Sequence, residues 1–82
     1  MAIVTMRYWA AAKEAAGVAE QTVTADTLAT ALSSVGTAPR LRAVLARCSF
    51  LVDGQPVGRR ATESVPLSDG CVVEVLPPFA GG

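Results

Sequence analysis

The most restrictive feature of the chain is the alternation of side chains near its start. Val4, Met6 and Tyr8 share one parity, whereas Thr5 and Arg7 lie between them. Side chains of a β-strand point alternately to opposite faces, so this pattern predicts a strand with one apolar face. That face must be covered by a second layer, and 82 residues supply only one compact core. We therefore expect a single small domain.

Helices are expected to form the covering layer. The main one is predicted where apolar residues recur at helical spacing, after Asp26 or Thr27, either of which can accept hydrogen bonds from the first free amides. The apolar stripe of this helix consists of Leu28, Ala31, Leu32 and Val35. Shorter helices are predicted over residues 10–16 and from Pro39 to just before Cys48.

The remaining segments are predicted to be strands and loops. Asp53 and Gly54 tolerate the positive φ values of a tight two-residue hairpin turn. A polar loop is expected over residues 58–64, and a turn precedes the last strand. The predicted strands cover residues 2–9, 21–24, 49–52, 55–57 and 71–76.

This order of elements indicates an α+β fold, because the helices are not interleaved regularly with the strands. If the first and last strands lie side by side at the centre, the result is the ubiquitin-like β-grasp, a mixed sheet packed against one main helix. The predicted domain spans residues 1–76, and a flexible tail spans residues 77–82.

The composition excludes several functions. Without histidine, the chain lacks the usual general base and metal ligand, so we expect no metal, no bound cofactor and no catalysis by the chain alone. Seven basic residues balance seven acidic ones, which argues against nucleic acid or membrane partners. Cys48 and Cys71 are too far apart in sequence for a Cys-x-x-Cys motif, and each is expected to fill apolar space. No secretory signal or membrane span is recognisable, so the cytoplasm is the expected location.

The ending of the sequence carries the chemistry. Two prolines fix φ and remove amide donors, so the last strand stops and the chain leaves the sheet extended. Gly81 and Gly82 have no Cβ and can pass through a narrow channel of another protein, presenting a carboxylate. A carboxylate is a poor electrophile until it is activated, so the activating groups must come from an enzyme. Alternatively, the two glycines are a frayed terminus or a cloning remnant.

Several short motifs together are typical of one family. They are Arg7-Tyr8-Trp9-Ala10 with Lys13-Glu14 and Gly17, Val52-Asp53-Gly54, Leu67-Ser68-Asp69-Gly70, and above all Leu76-Pro77-Pro78-Phe79-Ala80-Gly81-Gly82. In these motifs the chain resembles the ubiquitin-like sulfur carriers, the MoaD/ThiS family, and within it the small subunits of molybdopterin synthase. Two departures from the family pattern are Cys71, where a second acidic residue is common, and a long segment over residues 58–64.

The resemblance implies a role as a sulfur carrier. An ATP-dependent, MoeB-like enzyme would adenylate the Gly82 carboxylate, and a sulfurtransferase would convert it to a thiocarboxylate. The tail would then enter a MoaE-like large subunit, where sulfur passes to cyclic pyranopterin monophosphate during molybdenum cofactor biosynthesis, in a heterotetramer of two small and two large subunits. A carrier for thiazole or cysteine synthesis, a protein modifier and a non-catalytic interaction domain remain open.

A docking surface is also predicted. If the first and last strands are parallel neighbours, Trp9 and Leu76 form an outward apolar patch at the base of the tail, with Phe79 just beyond. Buried aromatic anchors often dominate the energetics of an interface. Alternatively, Trp9 is tucked under the first helix as part of the core. The predicted partner-binding residues are Trp9, Leu76, Pro77, Pro78, Phe79, Ala80 and Gly81.

Overall fold

Within residues 1–78, five strands and three α-helices follow the predicted order along the chain. A computed structural model describes residues 1–78; the predictions made for Phe79, Ala80, Gly81 and Gly82 lie outside the described residues. The elements are β1 (Ile3–Tyr8), α1 (Ala10–Ala16), β2 (Glu20–Thr24), α2 (Leu28–Val35), α3 (Pro39–Leu45), β3 (Ser49–Val52), β4 (Gln55–Pro56), a 3-10 helix (Thr62–Ser64) and β5 (Val72–Leu76).

The strands form one mixed sheet in the order β2-β1-β5-β3-β4. β1 and β5 are parallel neighbours at its centre, whereas the other three pairs are antiparallel. The first and last strands therefore lie side by side, as predicted, and the topology is the ubiquitin-like β-grasp. Among the residues described, no helix is both long and apolar enough to cross a membrane.

The core lies between one face of this sheet and the helices. The alternating residues of β1 that face the helices, Val4, Met6 and Tyr8, are buried, as predicted from their parity. Val73 and Val75 of β5 are fully buried beside them, because the parallel register pairs Val73 with Met6 and Val75 with Tyr8 on the same face of the sheet. The residues that alternate with these along β1 and β5 lie on the outer face of the sheet.

The helix ends follow local chemistry. The hydroxyl of Thr27 accepts a hydrogen bond from the amide of Thr30 (3.2 Å), so Thr27 caps α2. The other candidate, Asp26, instead accepts a hydrogen bond from the amide of Ala2 (3.2 Å). α2 has eight residues, only one more than α1 or α3. The predicted main helix thus shares the covering layer with two helices of nearly its own length.

The hairpin between β3 and β4 has the predicted turn. Asp53 and Gly54 have φ values of 48° and 81°, which match a turn with positive φ at both central positions. β4 ends at Pro56, one residue earlier than predicted, although the Val57 amide still donates to the Phe50 carbonyl (3.0 Å). The expected loop over residues 58–64 contains the short 3-10 helix, where the hydroxyl of Ser64 donates to the carbonyl of Ala61 (2.7 Å).

Candidate functional site: the base of the tail

The tail leaves the sheet next to the end of β1. The amide of Trp9 donates to the carbonyl of Val75 (3.3 Å), just as the amide of Thr5 donates to Cys71 (3.0 Å) four residues earlier. Thr5 is the register partner of Val72, so the same geometry sets Trp9 beside Leu76. The condition on which the predicted patch depended, parallel central strands, is therefore met.

Both residues lie on the side of the sheet away from the core. Trp9 is 47% exposed, so it is not a buried core residue under α1. Leu76 is half-buried at the end of β5, on the parity opposite Val73 and Val75. We call these two residues the outer-face patch. A large aromatic ring beside an aliphatic side chain is a surface that a partner can cover with a gain in apolar burial.

The backbone next to the patch is constrained. Trp9 itself is extended, and its carbonyl accepts hydrogen bonds from the amides of Ala12 and Lys13 (3.0 and 3.3 Å) at the start of α1. Ala10 follows with a φ of 48°, which is unusual for a residue with a Cβ. The chain thus turns sharply from β1 into α1, and this turn holds the indole at the corner of the sheet.

The prolines lie against the helical side of the same corner. Pro77 is half-buried and Pro78 is exposed. Together with Ala11, Val44 and Arg47 they line a shallow pocket of about 130 Å³ between α1, α3 and the outgoing chain. We call this the exit pocket. The outgoing chain therefore has the outer-face patch on one side and the exit pocket on the other.

Sequence reasoning missed the exit pocket. The position of Arg47 in the sequence shows only helical spacing, and nothing near it in the chain marks it as a neighbour of the prolines. The signal lies in the sheet register. Ser49, two residues after Arg47, pairs with Leu76 in the antiparallel ladder between β3 and β5. That pairing places the end of α3 beside the prolines.

Charged side chains beside the patch are paired with each other. Arg7 lies on the outer face, and its Nε donates to a carboxylate oxygen of Glu20 (2.7 Å). Its guanidinium also lies 3.9 Å from the Glu74 carboxylate. Glu74 shares a face with Leu76 and belongs to this ion-pair group. The apolar patch is therefore bordered by a group of one basic and two acidic side chains, which carries a single net negative formal charge.

The cysteines do not add a reactive thiolate. Burial raises the pKa of both thiols, and for Cys71 the nearby Asp53 carboxylate raises it further. Cys71 is buried, whereas Cys48 is half-buried and its sulfur contacts the Val44 carbonyl at 3.2 Å. Both are free thiols. No cluster of three or more potential metal ligands occurs within residues 1–78.

Solved structures with the same fold show what this architecture supports elsewhere. The small archaeal modifier protein 1 of Methanosarcina acetivorans is 24% identical, with a TM-score of 0.86, covering 100% of this chain and 98% of that one. Subunits 1 and 2 of the molybdopterin-converting factor of Helicobacter pylori form a complex that contains a chain 24% identical, with a TM-score of 0.74 and coverage of 98% and 99%. The thiamine biosynthesis protein ThiS of Geobacter metallireducens is 21% identical, with a TM-score of 0.57 and coverage of 95% and 99%.

These likenesses, all below 25% identity, establish the fold. A search of curated proteins finds no match. The sequence itself matches the model of the ThiS family over residues 6–82, which include the second half of β1, all of β5, the outer-face patch and the prolines. From its sequence match and its β-grasp topology, the chain belongs to the ThiS family of ubiquitin-like sulfur carriers.

Proposed function

We propose that the chain is the sulfur carrier subunit of a molybdopterin synthase. The observation that carries the proposal is the placement of Trp9 and Leu76 side by side where the chain leaves the sheet. A partner that covers this apolar patch is positioned to receive the tail. The two-subunit complex of a molybdopterin-converting factor among the structural neighbours supports a large subunit as that partner.

The proposed chemistry belongs to the Gly82 carboxylate. A carboxylate oxygen attacks the α-phosphorus of ATP on a MoeB-like activating enzyme, giving an acyl adenylate and releasing pyrophosphate. A sulfur nucleophile at the oxidation level of hydrosulfide then displaces AMP, which leaves a thiocarboxylate. Gly82 is the fourth residue after Pro78, so the reactive carbon lies no more than about 14 Å from Pro78. The outer-face patch can therefore stay in contact with a partner while the tail reacts.

Sulfur transfer would take place on the large subunit, a MoaE-like protein. There the thiocarboxylate sulfur would bond to a carbon of cyclic pyranopterin monophosphate, and water would cleave the resulting thioester, which leaves the sulfur on the pterin and regenerates the Gly82 carboxylate. The carrier needs no base or metal of its own for this step, because its reactive group is presented to the partner's active site. ATP serves as a substrate of the activating enzyme.

A second candidate is a protein modifier. It is favoured by the high structural similarity to a small archaeal modifier protein. In that case the activated Gly82 carbonyl would be joined to lysine amines of other proteins. A carrier for thiazole synthesis is the third possibility, with a ThiS structure among the neighbours.

Intact mass spectrometry of the chain purified from its native cell separates these functions. A sulfur carrier is expected to be heavier by the difference between one sulfur and one oxygen atom, and a modifier is expected as much larger conjugates. Reconstitution with a large subunit, the activating enzyme, ATP, a sulfur donor and the pterin precursor then tests the pathway. Formation of the dithiolene product supports molybdopterin synthase, and thiocarboxylate formation without transfer to the pterin contradicts it.

Deletion of Gly81 and Gly82 tests the role of the tail. We expect the circular dichroism spectrum to be unchanged, because both residues follow the last strand, and we expect sulfur transfer to be abolished. A matched control adds one alanine after Gly82, which keeps both glycines but moves the carboxylate. This control should fold equally well and also be inactive. Sulfur transfer that survives the deletion would contradict the proposed chemistry.

A further inference from the structure

The two edges of the sheet differ in how they are protected. β4 forms one edge and is only two residues long, one of them Pro56, which has no amide hydrogen. Arg59 and Arg60 follow it closely in the chain. Short length, proline and nearby charge are the usual devices that prevent an edge from pairing with another strand.

β2 forms the other edge without these devices. It has five residues, Glu20–Thr24, and contains neither lysine nor proline. Its one charged residue, Glu20, is paired with Arg7 of the neighbouring strand (2.7 Å). All its side chains except that of Val23 are exposed. Among the described residues, this edge is therefore open to another strand.

The hydrogen-bond ladder shows which groups of β2 are free. The amide of Tyr8 donates to Ala19 (2.8 Å), and the amide of Ala25 donates to Ala2 (2.9 Å). In an antiparallel pair, hydrogen-bonded residues alternate with residues whose amide and carbonyl point away from the neighbour. The backbone amides and carbonyls of residues 19, 21, 23 and 25 therefore point toward β1. Those of Glu20, Thr22 and Thr24 point outward, away from the sheet.

This edge is complementary to itself. If two copies of β2 pair in antiparallel orientation about Thr22, each outward residue meets an outward residue: Thr22 meets Thr22, and Glu20 meets Thr24. Three donors from each chain then find acceptors on the other. The register also keeps the two Glu20 carboxylates apart, whereas pairing centred on Glu20 would place like charges opposite each other.

We propose that a second copy of this chain is the occupant of this edge, so that two molecules pair through β2 in the register centred on Thr22. The zero formal net charge removes the overall repulsion that would oppose such contact. The paired molecules form one continuous sheet with β2 strands at its centre. The two tails leave at opposite ends of that sheet, so the association does not use the outer-face patch or the exit pocket.

The interface is small. One pair of five-residue strands buries well below the roughly 1,200 Å² of a stable protein interface. Association is therefore expected only at high protein concentration, and it is best measured by sedimentation equilibrium together with two-dimensional NMR. We expect concentration-dependent amide shifts confined to β2 and its flanks. A mixed sample of labelled and unlabelled chain should show intermolecular Hα contacts between residues 21 and 23, which face each other in this register.

Two matched substitutions on the same edge test the register. Thr22→Lys places two lysines opposite each other and is expected to weaken association by about tenfold or more. Thr24→Lys places each lysine opposite the partner's Glu20 and is expected to preserve or strengthen association. Both side chains are exposed on the outer face, so neither change should unfold the domain.

Three results would overturn the proposal. One is a monomer at all concentrations. Another is a concentration dependence that maps to Trp9 and Leu76 instead of β2, which would mean that copies meet through the outer-face patch. The third is equal weakening by the two lysine substitutions, because general protection of the edge, and not this register, would then explain the result.

Discussion

Asp53 binds Val72 through two hydrogen bonds of 2.9 Å. The amide of Asp53 donates to the Val72 carbonyl, and the amide of Val72 donates to a carboxylate oxygen of Asp53. One residue of the hairpin turn thus secures the first residue of β5. Because β5 ends at the base of the tail, the turn helps to hold the central strand whose far end presents the candidate site.

Asp53→Ala is expected to destabilise the domain by about 1–2 kcal/mol. It removes the side-chain acceptor and places alanine at a φ of 48°. Asp53→Asn is the matched control, since asparagine tolerates positive φ and keeps an acceptor oxygen, and it should lose much less stability. Urea unfolding followed by circular dichroism measures both. Equal loss in the two variants would mean that the side-chain hydrogen bond contributes little.

Removing the side chains of the outer-face patch should weaken binding to a large subunit. We expect Trp9→Ala and Leu76→Ala each to raise the dissociation constant at least about tenfold, as central apolar anchors do. Ile3→Ala is the matched control. Ile3 is 53% exposed on the same face of β1, but at the opposite end of that strand. Isothermal titration calorimetry measures the three affinities. An effect of Ile3→Ala as large as the other two would contradict a binding site centred on the outer-face patch.

Ala10→Gly is expected to stabilise the domain by about 0.5 kcal/mol. Its φ of 48° strains alanine but not glycine, and relief of this strain should slightly exceed the backbone entropy that glycine loses on folding. Ala11→Gly, one position later in regular helix, should instead destabilise by about 1 kcal/mol. Thermal and urea unfolding measure the sign of the change in the free energy of unfolding for each variant. Destabilisation by both substitutions would show that Ala10 is not strained in solution.

Tyr8 should titrate far above an ordinary tyrosine. Burial raises its pKa from 10.0 to about 12, and its hydroxyl donates to the Gln21 side chain (2.7 Å). Because the folded state holds the proton more tightly than the unfolded state, the contribution to stability is complete below pH 10 and is lost as pH rises toward 12.

The measurement is direct because the chain contains one tyrosine. Ultraviolet absorbance of the phenolate should show a midpoint near 12 in the folded protein and an ordinary one in urea. Tyr8→Phe should remove the signal and flatten the alkaline part of the pH–stability curve. A midpoint near the ordinary value while the domain remains folded would contradict the burial of this phenol.

The sequence predicted the elements that depend on local pattern. The parity of Val4, Met6 and Tyr8 identified the buried face of β1, and the Asp53-Gly54 pair identified the hairpin turn. Both signals come from residues that are close together in the sequence. Tertiary packing does not change either prediction, because the face of a strand and the type of a tight turn are set by those residues themselves. The placement of Trp9 beside Leu76 was predicted only on the condition that their strands pair in parallel.

Features that depend on distant pairing could not be predicted. Asp26 and Thr27 are both good capping residues. In the folded domain the Asp26 carboxylate accepts a hydrogen bond from the Ala2 amide, and Thr27 caps α2. The exit pocket depends on the register of β3 against β5, which brings Arg47 to the prolines. The open edge of β2 likewise emerges from strand order and not from composition.

The central pairing of β1 with β5 also bears on biosynthesis. A ribosome makes β1 first and β5 last, yet the two strands are hydrogen-bonded neighbours in the sheet. A nascent chain that stops before residue 72 leaves β1 and β3 without the strand that lies between them. Such a fragment cannot assemble the corner where Trp9 meets Leu76, so incomplete chains are expected to be degraded and not to compete with complete carriers for partner proteins.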